Sequence, residues 1–418
     1  MHESSQLRMD PNSQSTTATI VWYWAFLSLL FGKAFAYLNI GGFYVTEMVL
    51  VLLIFTGYRR FDLFDWAYLA FIFVYIVLGL SIGGQFVLVG KDMTPFLYLL
   101  FFRLAPDNFT REQVQRLGMF VALTIILSLL LPLIVTFFPV VKYRLFPPLV
   151  VAYLYFLRRG LSQTFLIPAF IVLCAVISFK TGLLAFLIMP FAVSKRGRKY
   201  FVGIWNTKFL LSLSAFFLFL IWSGGIEILM EVAVGVASLL KQSLGDETGY
   251  STGTALWRVA IWKFALAGVK TNEVLFGLYP GSNFLGRLAS LGSEFNAFQQ
   301  FEINSLGVNR SAHNIWIQVV TKCGVLGLAV WISYYARLVR SCTTVDVKII
   351  HSIVLIAGLT SDIYEVPCRG PMFFVLIKLF DSYQARQMAL QFQVIPTRKN
   401  RKQDIPTEMV SLPKLTSS

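Results

Sequence analysis

Residues 310–328 read RSAHNIWIQVVTKCGVLGL. A basic residue, a small hydroxyl residue and a histidine stand just before an apolar stretch whose pattern predicts a helix to about Leu338. The long polar excursion of the chain, about residues 225–312, ends here. His2 falls in a polar tail and His351 inside an apolar run, so of the three histidines His313 is the one expected at a water–membrane boundary.

Working outward, apolar runs of helix-spanning length recur on both sides. The 418 residues are 56% hydrophobic and only 14% charged, where a soluble globular chain carries about a quarter charged. Runs of roughly 17–25 apolar residues are what a helix needs to cross the hydrocarbon core, and the alternating ten-residue segments of a transmembrane barrel are absent. The expected fold is all-α: a polytopic membrane helix bundle of about twelve spans with one long, helical, outward-facing (periplasmic) loop.

Spans are expected near residues 20–38, 43–57, 64–83, 86–104, 117–138, 145–157, 163–179, 182–194, 208–224, 314–336, 346–361 and 370–385. Loops after even-numbered spans collect Arg59, Arg60, Arg103, Arg111, Arg116, Arg158, Arg159, the Lys195–Lys199 cluster, Arg337 and Arg340. Short loops on the other side are poor in Lys and Arg, so both termini are expected in the cytoplasm and the loop after the ninth span outside. The divisions are a disordered tail (1–19), spans one to nine (20–224), the outward loop (225–312), spans ten to twelve (313–385) and a basic cytoplasmic tail (386–418). The tail before the first span lacks the basic n-region and cleavage site of a signal peptide, so insertion is expected to rely on that span.

The net charge of +15 is thereby a topological signal rather than a nucleic-acid footprint, since no basic, polar domain exists to host one. Cys174, Cys323, Cys342 and Cys368 lie in or beside spans, and neither a disulfide framework nor metal spacing follows. P-loop, GxSxG, HExxH and dinucleotide-binding patterns are missing. No cofactor and no metal are expected.

The chemistry-bearing candidates cluster around the outward loop. His313 precedes the predicted tenth helix, with Ser311 as candidate N-cap; the positive end of a helix dipole favours the neutral imidazole a general base needs. Anchoring of the helix end is the alternative role. Arg258 lies between Trp257 and Trp262 in an otherwise apolar helix, and Arg287 and Arg310 add loop cations. A guanidinium suits bidentate capture of phosphate oxygens. Lys180 in SFKTGLL sits between apolar stretches near the outer surface, where a cation either faces a cavity or snorkels. Lys91, Asp92, Asp362, Glu365 and Arg369 are further charges at outer span ends, able to line the same vestibule.

This combination resembles the O-antigen ligase and polymerase family of bacterial envelope polysaccharide synthesis. The carrying motif is His313-Asn314, nine residues, then Gly324-Val325-Leu326-Gly327. Trp257-Arg258 and LFGLYPGSNF resemble the family's arginine helix and glycine turn, and KTGLLAF its Ser-Arg-Thr-Gly-Leu segment, so the ligase-like region covers residues 163–340. Two positions depart: Lys180 stands where arginine is usual, and Tyr279 occupies a turn position that is often glycine.

The resemblance implies metal-independent glycosyl transfer at the outer leaflet of the bacterial inner membrane, with a polyprenyl-diphosphate-linked oligosaccharide as donor. His313 would take the acceptor hydroxyl's proton while Arg258, Lys180 and Arg310 meet the departing diphosphate's charge, with Asn314 and Arg287 as further substrate-binding candidates. The N-terminus of the tenth helix would add backbone donors. Membrane lipid is an expected contact; a flippase and a chain-length regulator are partners only through the pathway so implied. Polymerisation of lipid-linked repeat units is the first reading. Ligation of finished glycan to lipid A core or protein is the second, and transport of a lipid-linked sugar, which calls for broken helices and buried midplane charges, is the third.

Overall fold

The structure, a computed structural model, describes residues 11–31, 38–106, 111–129, 146–158, 161–176, 180–206, 208–210, 273–282, 314–358 and 370–394, with a few single residues between them. Among these, the elements are α1 (Pro11–Phe31), a hairpin of β1 (Asn39–Ile40) and β2 (Phe43–Tyr44), α2 (Val45–Gly57) with a 3-10 turn to Arg60, α3 (Leu63–Ser81), α4 (Phe86–Asp92), α5 (Thr94–Leu104), α6 (Arg111–Leu129), α7 (Phe146–Arg158), α8 (Gln163–Val176), α9 (Lys180–Val193), α10 (Lys195–Gly203), α11 (Ile315–Arg340), α12 (Val345–Ala357) and α13 (Gly370–Val394). The two strands are antiparallel, Asn39 opposite Tyr44. The chain is therefore mostly helical, as its composition implies. Two of these helices, Leu63–Ser81 and Ile315–Arg340, have the length and apolar composition to cross a membrane.

The hub is α5. Its residues Phe96, Tyr98, Leu99, Leu100, Phe101, Phe102 and Leu104 are all buried, because α2, α11 and α13 pack around it. Elsewhere α8 pairs with α9, and α9 and α10 pack on α12. The outer faces of several helices remain apolar and bare: Phe64 and Phe73 on α3 are 69% and 66% exposed, with Phe55, Phe165, Leu187 and Phe191 similarly open.

Several elements differ from the sequence expectation. The fourth span is two helices, α4 and α5, divided at Met93 (φ −88°, ψ −1°); Pro95 in the first turn of α5 has no N–H to continue a helix from α4. Helix α1 takes in residues 11–19, which composition alone assigns to the disordered tail. Thr17 there is fully buried, and α1 packs against α6, where Trp22 Nε1 donates to Gln113 O (3.4 Å). The basic run KRGRKYFVG forms α10, started by Ser194, whose hydroxyl accepts from Gly197 N (3.0 Å). Residues 386–394, expected in the basic tail, extend α13.

Charges gather at the two ends of the bundle. At one end Asp65, fully buried, accepts from Arg103 Nε (2.9 Å) and Tyr334 OH (2.8 Å) and lies 3.7 Å from Arg337 Nη1. Arg337 also pairs with Asp62, and that hydrogen bond holds the Asp62 carboxyl below its ordinary value. Asp62 and Asp65 cap α3 reciprocally: the Asp62 side chain accepts from Phe64 N and Asp65 N, and Asp65 accepts from Asp62 N. Arg103 donates to Arg60 O, and Arg198 pairs with Asp346 (2.8 Å). Arginines from separate loops, all after even-numbered expected spans, thus share one end. The opposite end holds the C-terminal ends of α3 and α4 and the residues described next.

Candidate functional site

Helix α11 is not continuous. Gly324 has φ 67° and ψ −170°, outside the helical region, and residues 273–282, here called the strap, fill the break. A regular helix would bond Val325 N to Thr321 O. Instead Val325 N donates to Val274 O (2.9 Å), Leu326 N to Leu275 O (3.2 Å), and Thr321 O accepts from Leu278 N (2.8 Å). Tyr75 of α3 closes the remaining gap, its hydroxyl donating to Cys323 O (3.0 Å) and standing 3.3 Å from Phe276 O. Each of these backbone groups exposed by the break has a partner, as a helix interrupted inside a packed bundle requires.

Three glycines permit the approach. A Cβ on Gly324 would fall 2.2 Å from Leu275 O; on Gly277, 2.5 Å from the Lys322 carbonyl carbon; on Gly79 of α3, 2.5 Å from Pro280 O. Gly324 and Gly277 also have positive φ (67° and 79°), where a side chain is disfavoured. Tyr279, the turn position at which the resemblance leads one to expect glycine, has φ 64°. It is the one described non-glycine residue with positive φ, which gives the physical reason glycine suits that turn.

A buried ion pair locks the far end of the strap. Lys322 Nζ and Asp92 Oδ2 lie 2.8 Å apart, with side chains 1% and 5% exposed. Asp92 Oδ2 accepts from Gly281 N (2.7 Å), and Lys322 Nζ donates to Ser282 O (2.5 Å). The pair therefore grips the N–H of one strap residue and the carbonyl of the next. The strap's own turn adds Ser282 Oγ donating to Tyr279 O (2.7 Å). Asp92 sits at the α4–α5 break, so two helix interruptions and the strap meet at one place.

The geometry bears on the sequence candidates as follows. Asn314 is buried and is the N-cap of α11: its Oδ1 accepts from Trp316 N (2.9 Å) and Ile317 N (3.2 Å). The capping role expected of Ser311 falls to Asn314, because its side chain reaches both donors. Ile315 N donates to Gly358 O (3.3 Å) and Gln318 N to Asn314 O (2.9 Å). The first-turn donors are all taken, which corrects the expectation that this helix end offers free N–H groups to an anion. Lys180 is the first residue of α9. His313, Arg258, Arg287 and Arg310 lie outside the described residues, as do Ser311, Asp362, Glu365 and Arg369. The Lys91 ammonium stands over the Tyr44 ring (4.7 Å). His351 is fully buried, as its apolar run implies, with Nδ1 2.8 Å from Tyr335 OH.

Sequence reasoning missed Lys322. A signal was present, since a lysine in VVTKCGVLG stands inside an apolar helix where a charge needs a partner. Lys322 is no free cation for a substrate anion, because Asp92 and Ser282 O hold it. Any diphosphate charge would fall to other side chains, and among the described residues no group of three or more His, Cys, Asp or Glu could hold a metal. No family model, curated protein or solved structure matches the chain.

Proposed function

We propose that the chain is a membrane glycosyltransferase that polymerises polyprenyl-diphosphate-linked oligosaccharide into surface polysaccharide. The observation that carries this reading is the strap seated in the Gly324 break. LFGLYPGS and GVLG are 42 residues or more apart in sequence, and both belong to the resemblance on which the reading rests. Their interlock supports reading them as parts of one site, and His313 directly precedes the N-cap Asn314 in sequence.

In this reading the bundle spans the cytoplasmic membrane, its bare apolar faces meet lipid, and the arginine-rich end is cytoplasmic, as the distribution of Lys and Arg favours. The strap end is then external. His313 deprotonates the acceptor hydroxyl; the anomeric carbon–oxygen bond to diphosphate breaks as the new glycosidic bond forms, and the proton leaves on the imidazole. Arg258, Lys180, Arg310 and Arg287 are the cations proposed to meet the leaving diphosphate, with Asn314 fixing the start of the helix that follows His313 in sequence. No nucleotide or metal is required.

Transport is the reading that a broken helix and a buried ion pair would otherwise favour. Tyr75 and Gly79, which touch the break and the strap, lie about 9 Å and about 3 Å from the outer end of α3 at 1.5 Å per residue. The α3 midpoint is about 14 Å from that end. These contacts lie toward one end of α3, while Gly324 itself lies about 14 Å into α11, so the reconstitution below is what separates transfer from transport.

The test supplies protein reconstituted in lipid with polyprenyl-diphosphate oligosaccharide, alone and with a lipid A core acceptor. A product ladder without the second acceptor is the expected result. Product only with the acceptor assigns a ligase, and glycolipid moved across the bilayer without product would sink the enzyme reading.

A further inference from the structure

Helix α10 (Lys195–Gly203) packs one side into the bundle and turns a row of cations outward. Gly197 and Phe201 are buried, Gly197 so closely that a Cβ there would fall 1.8 Å from Phe191 O near the end of α9, and the Phe201 ring meets that of Phe191 (6.0 Å between centroids). Lys195, Arg196 and Lys199 fall within about 100° of arc on the opposite side and are exposed. Arg198 pairs with Asp346 (2.8 Å); the other three meet no carboxylate among the described residues. We propose that this face seats the headgroups of anionic phospholipid at the membrane surface, with the acyl chains along the end of α9.

Three observations support it. The first is where the cations stand. Lys and Arg in a cytoplasmic loop satisfy topology, but a solvated loop would do so equally well. Here the run is folded: Ser194 Oγ accepts from Gly197 N (3.0 Å) and donates to Phe191 O (2.7 Å), which fixes α10 to the corner. Lys195 and Arg196 are then its first two residues, with no acidic side chain in that turn. The helix dipole disfavours positive charge at an N-terminus, and an anion lying across the turn offsets that cost. The second is the adjoining surface. Leu187 and Phe191, one turn apart on α9, are 56% and 57% exposed, so a bare apolar stripe runs to within three residues of Ser194. Headgroup and acyl contacts are thus contiguous, which an amphiphile needs and a soluble anion does not. The third is Tyr200 on α10, 67% exposed, since a ring with a polar tip settles at the headgroup level.

The inference rests on the proposed function only in placing the bundle in a membrane with this end at the anionic cytoplasmic leaflet. It takes nothing from the transfer reaction.

Full-length protein in phosphatidylcholine nanodiscs holding a trace of phosphatidylglycerol with a photoreactive headgroup is irradiated, and crosslinked peptides are mapped by mass spectrometry. Crosslinks are expected within residues 194–204, displaced by unlabelled phosphatidylglycerol but not by further phosphatidylcholine or by inorganic phosphate. At roughly fivefold per charge near an anionic surface, the triple variant Lys195→Gln, Arg196→Gln, Lys199→Gln should weaken this binding about a hundredfold, and Lys195→Arg with Lys199→Arg should retain it. Replacing Arg398, Lys399 and Arg401 with glutamine removes the same charge from the C-terminal segment and should leave the α10 crosslinks unchanged. The proposal is overturned if crosslinks in 194–204 are absent, if phosphatidylcholine or inorganic phosphate displaces them equally, or if the C-terminal variant abolishes them while the α10 triple variant does not. The readout needs no turnover, so a protein that makes no glycan can still pass it, and a working transferase can still fail it.

Discussion

Replacing Lys322 with methionine removes one half of the strap's clamp. The Asp92 carboxylate, 5% exposed, would keep Gly281 N–H as its one remaining partner from the clamp, and Ser282 O would lose the ammonium that bonds it at 2.5 Å. Breaking a buried pair from one side costs about 3 to 5 kcal/mol, with an orphaned carbonyl contributing about 1 to 3 kcal/mol of such a loss. Lys322→Met should therefore lower the folded-to-unfolded ratio by more than about a hundredfold, and Asp92→Asn, which strands the ammonium, by a similar factor. The double variant leaves no buried charge at the clamp, and the side-chain amide that replaces the carboxylate can still accept from Gly281 N. It should cost only about 1 to 3 kcal/mol, so the two substitutions are strongly non-additive. Denaturant titration of detergent-solubilised protein measures the cycle, and protease cleavage within residues 273–282 reports the strap directly, rising in each single variant and less in the double. Additive effects, with the double variant worse than either single, would refute the clamp.

Other consequences are independent of that pair. Gly324→Ala places a Cβ 2.2 Å from Leu275 O at φ 67°, adding about 1 to 2 kcal/mol of backbone strain to the clash; circular dichroism should show the bundle's helices retained while the strap becomes protease-sensitive, and an unchanged cleavage pattern would contradict the interlock. Asn314→Ala loses both N-cap hydrogen bonds and should lower stability by about 1 kcal/mol, with Asn314→Ser recovering most of it. Tyr279→Gly relieves a positive φ of 64° and should be tolerated, whereas Tyr279→Val should destabilise, because a β-branched side chain is least suited to that region. The Asp62 carboxyl is held down by Arg337, so its contribution is fully present above the ordinary value of 3.8 and is lost as pH falls through the lowered one. In Arg337→Ala, acid unfolding of this end should begin at higher pH than in wild type.

Much of the helical order was legible because hydrophobic period and charge are local signals. The run expected as span three, 64–83, is the helix Leu63–Ser81, and the run expected as span eleven, 346–361, is helical over Val345–Ala357. The α4–α5 break could have been read from Thr94-Pro95, since proline marks a helix start; the apolar run across it hid the signal. Gly324 was not legible as a break. One glycine in an apolar helical pattern is ordinarily tolerated, and what forces its positive φ is a strap some 45 residues earlier. The Asp92–Lys322 pair spans 230 residues, and no local pattern joins the two. Asn314 rather than Ser311 as N-cap was equally open to capping preferences; the choice depends on where the helix begins, which tertiary contacts such as Ile315 N to Gly358 O decide.

The central claim is that this chain builds glycan on a lipid diphosphate with His313 as base. The most direct measurement is gel or mass-spectrometric analysis of products from purified wild-type and His313→Ala protein, each reconstituted in lipid with polyprenyl-diphosphate oligosaccharide as sole glycan. The account predicts a ladder of lengthened chains from wild type and none from His313→Ala inserted to the same level. A ladder of equal intensity from both would remove His313 as base, and unlengthened substrate in both would contradict polymerisation itself.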